Sequence, residues 1–313
     1  MPFSIPKEMY NGKINQIEVG QGDHACTIGG SEVLPFLSFE GKPNPKIPIA
    51  MEIADTLPEG FSTEVSSQYP EGVINDPVRW ATYCQDELKA DMICLRLLGT
   101  HPDEGNRSPE EARKTVEAVK AAINIPLMVF GTNSVEKDAE VFKVVSEALV
   151  NTNSIIGKAQ EKNYKTFAAM ANAYNLKLVA VSDLDINLCK QLNILLTQAG
   201  FDVSNILVDP MSSTVGYGLE YTYSVMERIR MAALLQSDTM MQTPIISDIC
   251  ITTWKIKETR ATQEEQPKWG DLGRRGYMWE AMTANAFLMA GSDLLIMRHP
   301  KAMGVVKKLL ADL

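Results

Sequence analysis

Eight short apolar runs alternate with amphipathic helical stretches along most of this chain, and that count narrows the fold more than any other feature. The runs at 47–53, 92–98, 126–130, 153–157, 177–182, 205–209, 244–250 and 293–297 are continuously apolar, the pattern of parallel strands covered on both faces. Start signals mark the helices between them. Asp76 and Pro77 suit the N-cap and first turn of a helix whose Trp80, Cys84 and Leu88 recur every fourth residue. Ser108-Pro109-Glu110-Glu111 spells a capping box ahead of the apolar face Ala112, Val116, Val119 and Ile123. Ser134 precedes the stripe Val135, Ala139, Phe142, Val145 and Leu149, and Gly200 closes one built on Leu188, Leu192, Leu195 and Ala199. Further helical patterns lie near 161–175, 219–237, 275–290 and 302–312. Eight strand–helix pairs close a (β/α)8 TIM barrel, predicted over 46–313, and the glycine-punctuated stretch 1–45 reads as a hairpin-bearing cap. An open doubly wound sheet would carry a glycine-rich dinucleotide loop after its first strand, where this chain has Ala54-Asp55-Thr56.

With 313 residues the chain is one barrel, which needs about 250, plus additions. Its formal net charge of −9 repels phosphate backbones and anionic lipid, arguing against nucleic-acid or membrane partners. The start Met1-Pro2-Phe3-Ser4-Ile5-Pro6-Lys7 lacks signal-peptide character, and a cytoplasmic protein is expected. Cys26, Cys84, Cys94, Cys189 and Cys250 are odd in number and scattered, so neither a disulfide framework nor a clustered iron–sulfur site is expected in this chain.

Barrel chemistry sits where strands run out. The strand ends offer Asp55 and Thr56; Gly99, Thr100 and His101; Gly131, Thr132 and Asn133; Lys158 and Gln160; Ser182 and Asp183; Asp209-Pro210-Met211-Ser212-Ser213-Thr214; Ser247 and Asp248; and Arg298 and His299. Hydroxyls and amides dominate this ring. Three histidines, His24, His101 and His299, without a His-x-His pair, argue against a metal-dependent hydrolase, and no metal ligand is expected. Lys158 is the strand-end lysine a Schiff-base aldolase would need, or else a salt-bridged lysine at the mouth. Arg298-His299-Pro300 lacks the glycines of a phosphate cradle. Asp209, like Asp55 and Asp183, reads equally as a ligand carboxylate or a cap. The segment 252–274, with Trp254, Lys255, Arg260 and Trp269, is too long for a connector and suits either a protein partner or a lid.

The stretches Ile49-Ala50-Met51-Glu52-Ile53-Ala54-Asp55-Thr56, Leu97-Leu98-Gly99-Thr100-His101-Pro102, Val208 to Gly218 (Val-Asp-Pro-Met-Ser-Ser-Thr-Val-Gly-Tyr-Gly) and Trp279-Glu280-Ala281-Met282-Thr283-Ala284-Asn285-Ala286 resemble the small subunit of the corrinoid iron–sulfur protein, the delta subunit of the acetyl-CoA decarbonylase/synthase complex. The similarity runs over nearly the whole chain. It implies a barrel paired with a large subunit that carries a [4Fe-4S] cluster and a cobalt corrinoid. Methyl groups then pass from a methyltetrahydrofolate methyltransferase to acetyl-CoA synthase/CO dehydrogenase in an anaerobe. The barrel would cap the corrinoid with no catalytic residue of its own, through Thr100, His101, Asn133, Ser182, Asp183, Asp209, Met211, Ser212, Thr214 and Ser247, and would meet its partner through Trp254, Lys255, Arg260 and Trp269. Neutral hydrogen bonds suit an amide-fringed macrocycle. The chain lacks Asp-x-His-x-x-Gly, so no cobalt ligand is expected from it. Two other readings stand beside this one: a pterin-binding methyltransferase using Asp55, Asn133, Asp183 and Asp209, and the aldolase on Lys158.

Overall fold

Inward and outward side chains alternate along the barrel strands, a period of two that is interrupted in the fourth of them by a register shift between Ile156 and Ala159, beside the inward Lys158. The computed structural model describes residues 3–44 and 46–312. The expected boundary at Pro45, with Met1, Pro2 and Leu313, lies outside those residues. The parallel strands are β3 (Ile49–Ala54), β4 (Met92–Arg96), β5 (Leu127–Phe130), β6 (Ile155–Ala159), β7 (Lys177–Val181), β8 (Ile206–Asp209), β9 (Ile246–Asp248) and β10 (Leu294–Met297). They are preceded by an antiparallel pair, β1 (Gln16–Val19) and β2 (Cys26–Gly29). The eight hydrogen-bond in the order β8-β7-β6-β5-β4-β3-β10-β9, and a single parallel bridge, Val208 to Ile245, closes the ring. The chain is therefore a (β/α)8 barrel with an N-terminal hairpin.

Helices α1 (Thr63–Ser66), α2 (Pro77–Asp86), α3 (Pro109–Ala122), α4 (Val135–Ala148), α5 (Tyr164–Tyr174), α6 (Ile186–Gln198), α7 (Leu219–Leu234), α8 (Cys250–Thr253), α9 (Leu272–Ala290) and α10 (Pro300–Ala311) follow the strands. The caps read from sequence form. Asp76 accepts from the amides of Val78 and Arg79, and Ser108 and Glu111 make the reciprocal pair. Ser134 makes no side-chain cap; Asp138, one turn in, accepts instead from the amides of Thr132 and Asn133 and from the Thr132 hydroxyl. The segment 252–274 is shorter as a loop than expected, because α8, two turns of 3-10 helix and the start of α9 occupy much of it. All five cysteines are free, and burial pushes Cys84, Cys94 and Cys189 up to about 12, inert as thiolates. Among the described residues no helix is long and apolar enough to cross a membrane.

The hairpin lies across the N-terminal ends of the barrel strands. Ile17, Val19 and Ile28 are buried there, the Gly20 amide donates to Asn153 O at 3.2 Å, and Gly29 packs on Pro244. One end of the barrel is thus stoppered, and the C-terminal mouth stays free. The strap leading into the hairpin crosses α7, where the amides of Asn11 and Gly12 donate to Leu234 O at 3.1 and 2.9 Å. A Cβ on Gly12 would stand 1.9 Å from Ala233 O. Gly12→Ala is expected to lift the strap and cost about 1–3 kcal/mol, read as a lowered urea midpoint with unchanged helix content.

Candidate functional site

The centre of the mouth is ionic. Glu52 of β3, Arg96 of β4, Lys158 of β6, Asp209 of β8 and Asp248 of β9 point inward, joined by Arg298 just past β10, and they pair as a chain of alternating sign. Arg298 and Arg96 each place Nε on the Glu52 carboxylate. Arg96 Nη2 meets Asp248 at 2.6 Å, and Lys158 Nζ meets both Asp248 and Asp209 at 2.6 Å. The Phe130 ring lies under Arg96 and Lys158, at 5.6 and 5.3 Å from its centroid. Three cations and three anions sum to zero, which is how a dry interior accommodates all six charges. Burial pushes the Glu52 and Asp248 carboxyls up, but Arg298 and Arg96 on the first, and Arg96 and Lys158 on the second, hold both below the usual range. Burial pulls Lys158 down, but Asp209 and Asp248 outweigh it and raise the amine above its ordinary value.

Loops around this floor form the rim. Asp55 accepts from the Gly99 amide at 2.9 Å and pairs with Arg107 at 3.3 Å, while burial raises its carboxyl. At the corner between α9 and α10, the buried Glu280 accepts from the amides of Arg298 (2.7 Å) and His299 (3.0 Å), and burial lifts its carboxyl to about 7. His299 caps α10 by accepting from the Lys301 amide at 3.1 Å and stacks on Trp254 at 5.4 Å; burial lowers its imidazole to about 4.

The residues expected at the mouth divide sharply. Asn133 and Asp183 are exposed, His101 is half-buried, and Met211 is 46% exposed. Asn133, Asp183 and Met211 have φ of 67°, 44° and 64°, a left-handed conformation that Asn and Asp tolerate and Met rarely adopts. Ser212 is buried with its hydroxyl unpartnered, as is the hydroxyl of Thr56 across the mouth. The others are corrected by geometry. Ser182 follows the inward Val181 and so faces α6, against Cys189. Ser247 precedes the inward Asp248 and so faces the helices. The Thr100 hydroxyl is closed onto Leu97 O, and Thr214 is locked between Thr253 and Thr283. Asp209 belongs to the ionic chain rather than to the rim. Trp254, 3% exposed, packs inside on His299 and cannot anchor a partner, whereas Lys255, Arg260 and Trp269 reach the surface. Lys257 and Arg275 both lie near the Trp269 ring, at 5.6 and 5.5 Å from its centroid, beside a surface cavity of 740 Å3 bordered by Met278, Trp279 and Met282.

Glu52, Arg96 and Glu280 went unread as site residues, although the signal was present: single charges inside the apolar runs IAMEIA and MICLR must be paired if buried. This floor does not suit a Schiff-base lysine, which must lose its proton readily, since two carboxylates hold Lys158 protonated. Nor does it present the four expected pterin ligands together. Asp55 and Asp209 are already engaged, and Asn133 and Asp183 are exposed on separate loops.

Residues 16–310 match the family described as CO dehydrogenase/acetyl-CoA synthase delta subunit. The chain belongs to that family. The acetyl-CoA decarbonylase/synthase complex subunit delta of Archaeoglobus fulgidus is 32% identical over 99% of this chain and 71% of its own length. That of Methanosarcina mazei is 32% identical over 91% of this chain and 66% of its own length, so this delta-family chain spans about two thirds of such relatives. Dihydropteroate synthase from Xanthomonas albilineans superposes with a TM-score of 0.57 at 12% identity, covering 95% of this chain and 98% of that one, a likeness of fold.

Two outcomes test the site. Arg96→Met leaves Glu52 and Asp248 short of a partner in a dry interior and is expected to cost about 3–5 kcal/mol by denaturant titration. The folded-state pKa of His299 lies below its ordinary 6.5, so its contribution is complete above that pH and is lost as pH falls toward about 4. Glu280 works in the opposite sense, losing its contribution as pH rises from 4.5 through about 7. His299→Asn keeps a capping acceptor and is expected to remove up to about 3 kcal/mol of the acid sensitivity between neutral pH and pH about 4, measured by urea unfolding.

Proposed function

We propose that this chain is the small subunit of a heterodimeric corrinoid iron–sulfur methyl carrier, and that its mouth covers a corrinoid held mainly by the large subunit. One observation supports this above others: the six interior charges satisfy one another, so no side chain on the barrel floor is free to act as general base or nucleophile on a substrate. Beside the Asp55–Arg107 pair and the exposed Asp183, the rim offers mainly neutral groups. The exposed Asn133 amide and Met211 side chain suit a broad ring with an apolar face and an amide fringe, and Thr56 and Ser212 hold buried, unpartnered hydroxyls just beneath different sides of the mouth. Loaded on the partner, the corrinoid supplies the cobalt that accepts and gives up a methyl group. This chain's own residues would orient the ring through Thr56, Asn133 and Ser212 and keep water from it with Met211. They would offer no cobalt ligand. The [4Fe-4S] cluster, the methyltetrahydrofolate methyltransferase and acetyl-CoA synthase/CO dehydrogenase belong to the rest of this reading, in a cytoplasmic complex. The surface carrying Lys255, Arg260 and Trp269 is the proposed contact for the large subunit, where Trp269, with Lys257 and Arg275 near its ring, is the anchor.

Anaerobic co-purification with the large subunit tests the proposal through the visible spectrum. Corrinoid bands should accompany the heterodimer and fade when the subunits are separated. Met211→Glu should speed that loss about tenfold, while the same change at the equally exposed Met231 on α7 should not. A native complex without corrinoid bands, or Met211→Glu with unchanged retention, overturns the reading. Tight binding of methyltetrahydrofolate by this chain alone would favour the pterin enzyme instead.

A further inference from the structure

The opposite end of the barrel holds a cavity of 630 Å3, roofed by the irregular chain of residues 31–44 with Lys46 and Ile47, and floored by the start of β3, the corner between α9 and β10, and the last turns of α10. Its volume lies within the range of small-ligand sites. Val33, Phe36, Ile47, Leu288 and Leu310 make its lining largely apolar.

The charges on its wall are closed pairs with one exception. Lys46 Nζ meets Asp91 at 2.7 Å, and the Asp91 carboxylate also accepts from the Ile49 amide at 3.1 Å. Arg230 is clasped by Asp293 and by Gly291 O, and Asn44 Nδ2 donates to Asp293 at 3.2 Å. Lys307 differs. Its amine donates to the Lys89 carbonyl and, among the described residues, has no carboxylate within ion-pair distance, although the side chain is only partly exposed. Burial draws its pKa below the ordinary lysine value, and the nearby Asp91, already paired with Lys46, opposes this only in part. Phe36 points to the same cavity. It holds φ at 62°, a conformation bulky L residues rarely adopt, and yet leaves its ring 45% exposed at the cavity's edge. That backbone belongs to the third position of the turn Leu34-Pro35-Phe36-Leu37, closed by the Leu37 amide donating to Leu34 O at 3.3 Å, and the turn sets the ring at the cavity's edge.

We propose that this cavity is a binding site for a small apolar carboxylate, its hydrocarbon body among Val33, Leu288 and Leu310, its acid group on Lys307, and Phe36 closing over it. The site is at the other end of the barrel from the mouth and does not depend on the corrinoid reading. Charge selects the ligand class. The two closed pairs contribute nothing net, so Lys307 leaves the wall cationic and favours a monoanion over a neutral or cationic amphiphile.

Calorimetry on the full chain with octanoate, octan-1-ol and octylammonium tests this. Octanoate should bind at one equimolar site, at least about tenfold more tightly than either comparison compound. Lys307→Met, which keeps the aliphatic stem, should abolish that preference while leaving the melting temperature of the free chain unchanged. Should Lys307→Met disturb folding, Phe36→Ala, on an exposed ring, provides the second arm: octanoate should then bind at least about fivefold more weakly. Absence of saturable octanoate binding at millimolar concentration, equal binding of octylammonium, or an unchanged affinity in both variants overturns the proposal.

Discussion

Alternation of charge across the barrel centre is the constraint on which the mouth depends. Six ionisable groups from five strands and the end of a sixth share a space that water does not fill, and each can remain charged only because its neighbours carry the opposite sign. The arrangement is cooperative in the structural sense. Glu52 ties β4 to the end of β10, Asp248 ties β9 to β4 and β6, and Asp209 completes the link to β8. A strand displaced by one residue would carry its charge to the helical side, where no partner waits, so the chain of pairs reports on the register of most of the barrel. Because the pairs are buried, dissolved salt screens them little.

That floor shapes what the rim is able to do. Most catalytic barrels keep one ionisable group available for a substrate; here the acids and bases are committed to one another, and the variable chemistry moves outward to Thr56, Asn133, Met211 and Ser212. The flank of α9 adds a second surface, where Trp269 beside two cations stands out on a chain whose overall charge is −9.

The fold was legible because its signals are local. Continuous apolar runs, Asp76 before Pro77, and the reciprocal pair of Ser108 and Glu111 each depend on a few neighbouring residues, and each formed where it was read. The site was legible only in part. Met211 and Asn133 lie where a simple count beyond the strand places them. Ser182 and Ser247 do not, because one residue of phase sends a side chain to the far face, and the phase of a uniformly apolar strand is invisible until an inward charge fixes it. Arg96 and Asp248 supply that phase, but their pairing spans 152 positions in sequence and no local pattern announces it. Trp254 misled for a related reason: an indole beside basic residues reads as surface until the imidazole it stacks on, 45 residues away, is known to be buried.

The hairpin laid across the strand starts also bears on how the ring stays shut. The barrel has one thin join, a lone bridge between Val208 and Ile245, and the chain on one side of that join includes Pro244, against which Gly29 rests. The same short ribbon touches the approach to β4 through Cys26 and Asp91, to β5 through Gly20 and Pro126, and to β6 through Gly20 and Asn153. It lies as a clasp across a belt's buckle, linking the free end of the ring to staves on the other side, so the thinnest join of the barrel is backed by a segment that contributes none of its eight strands.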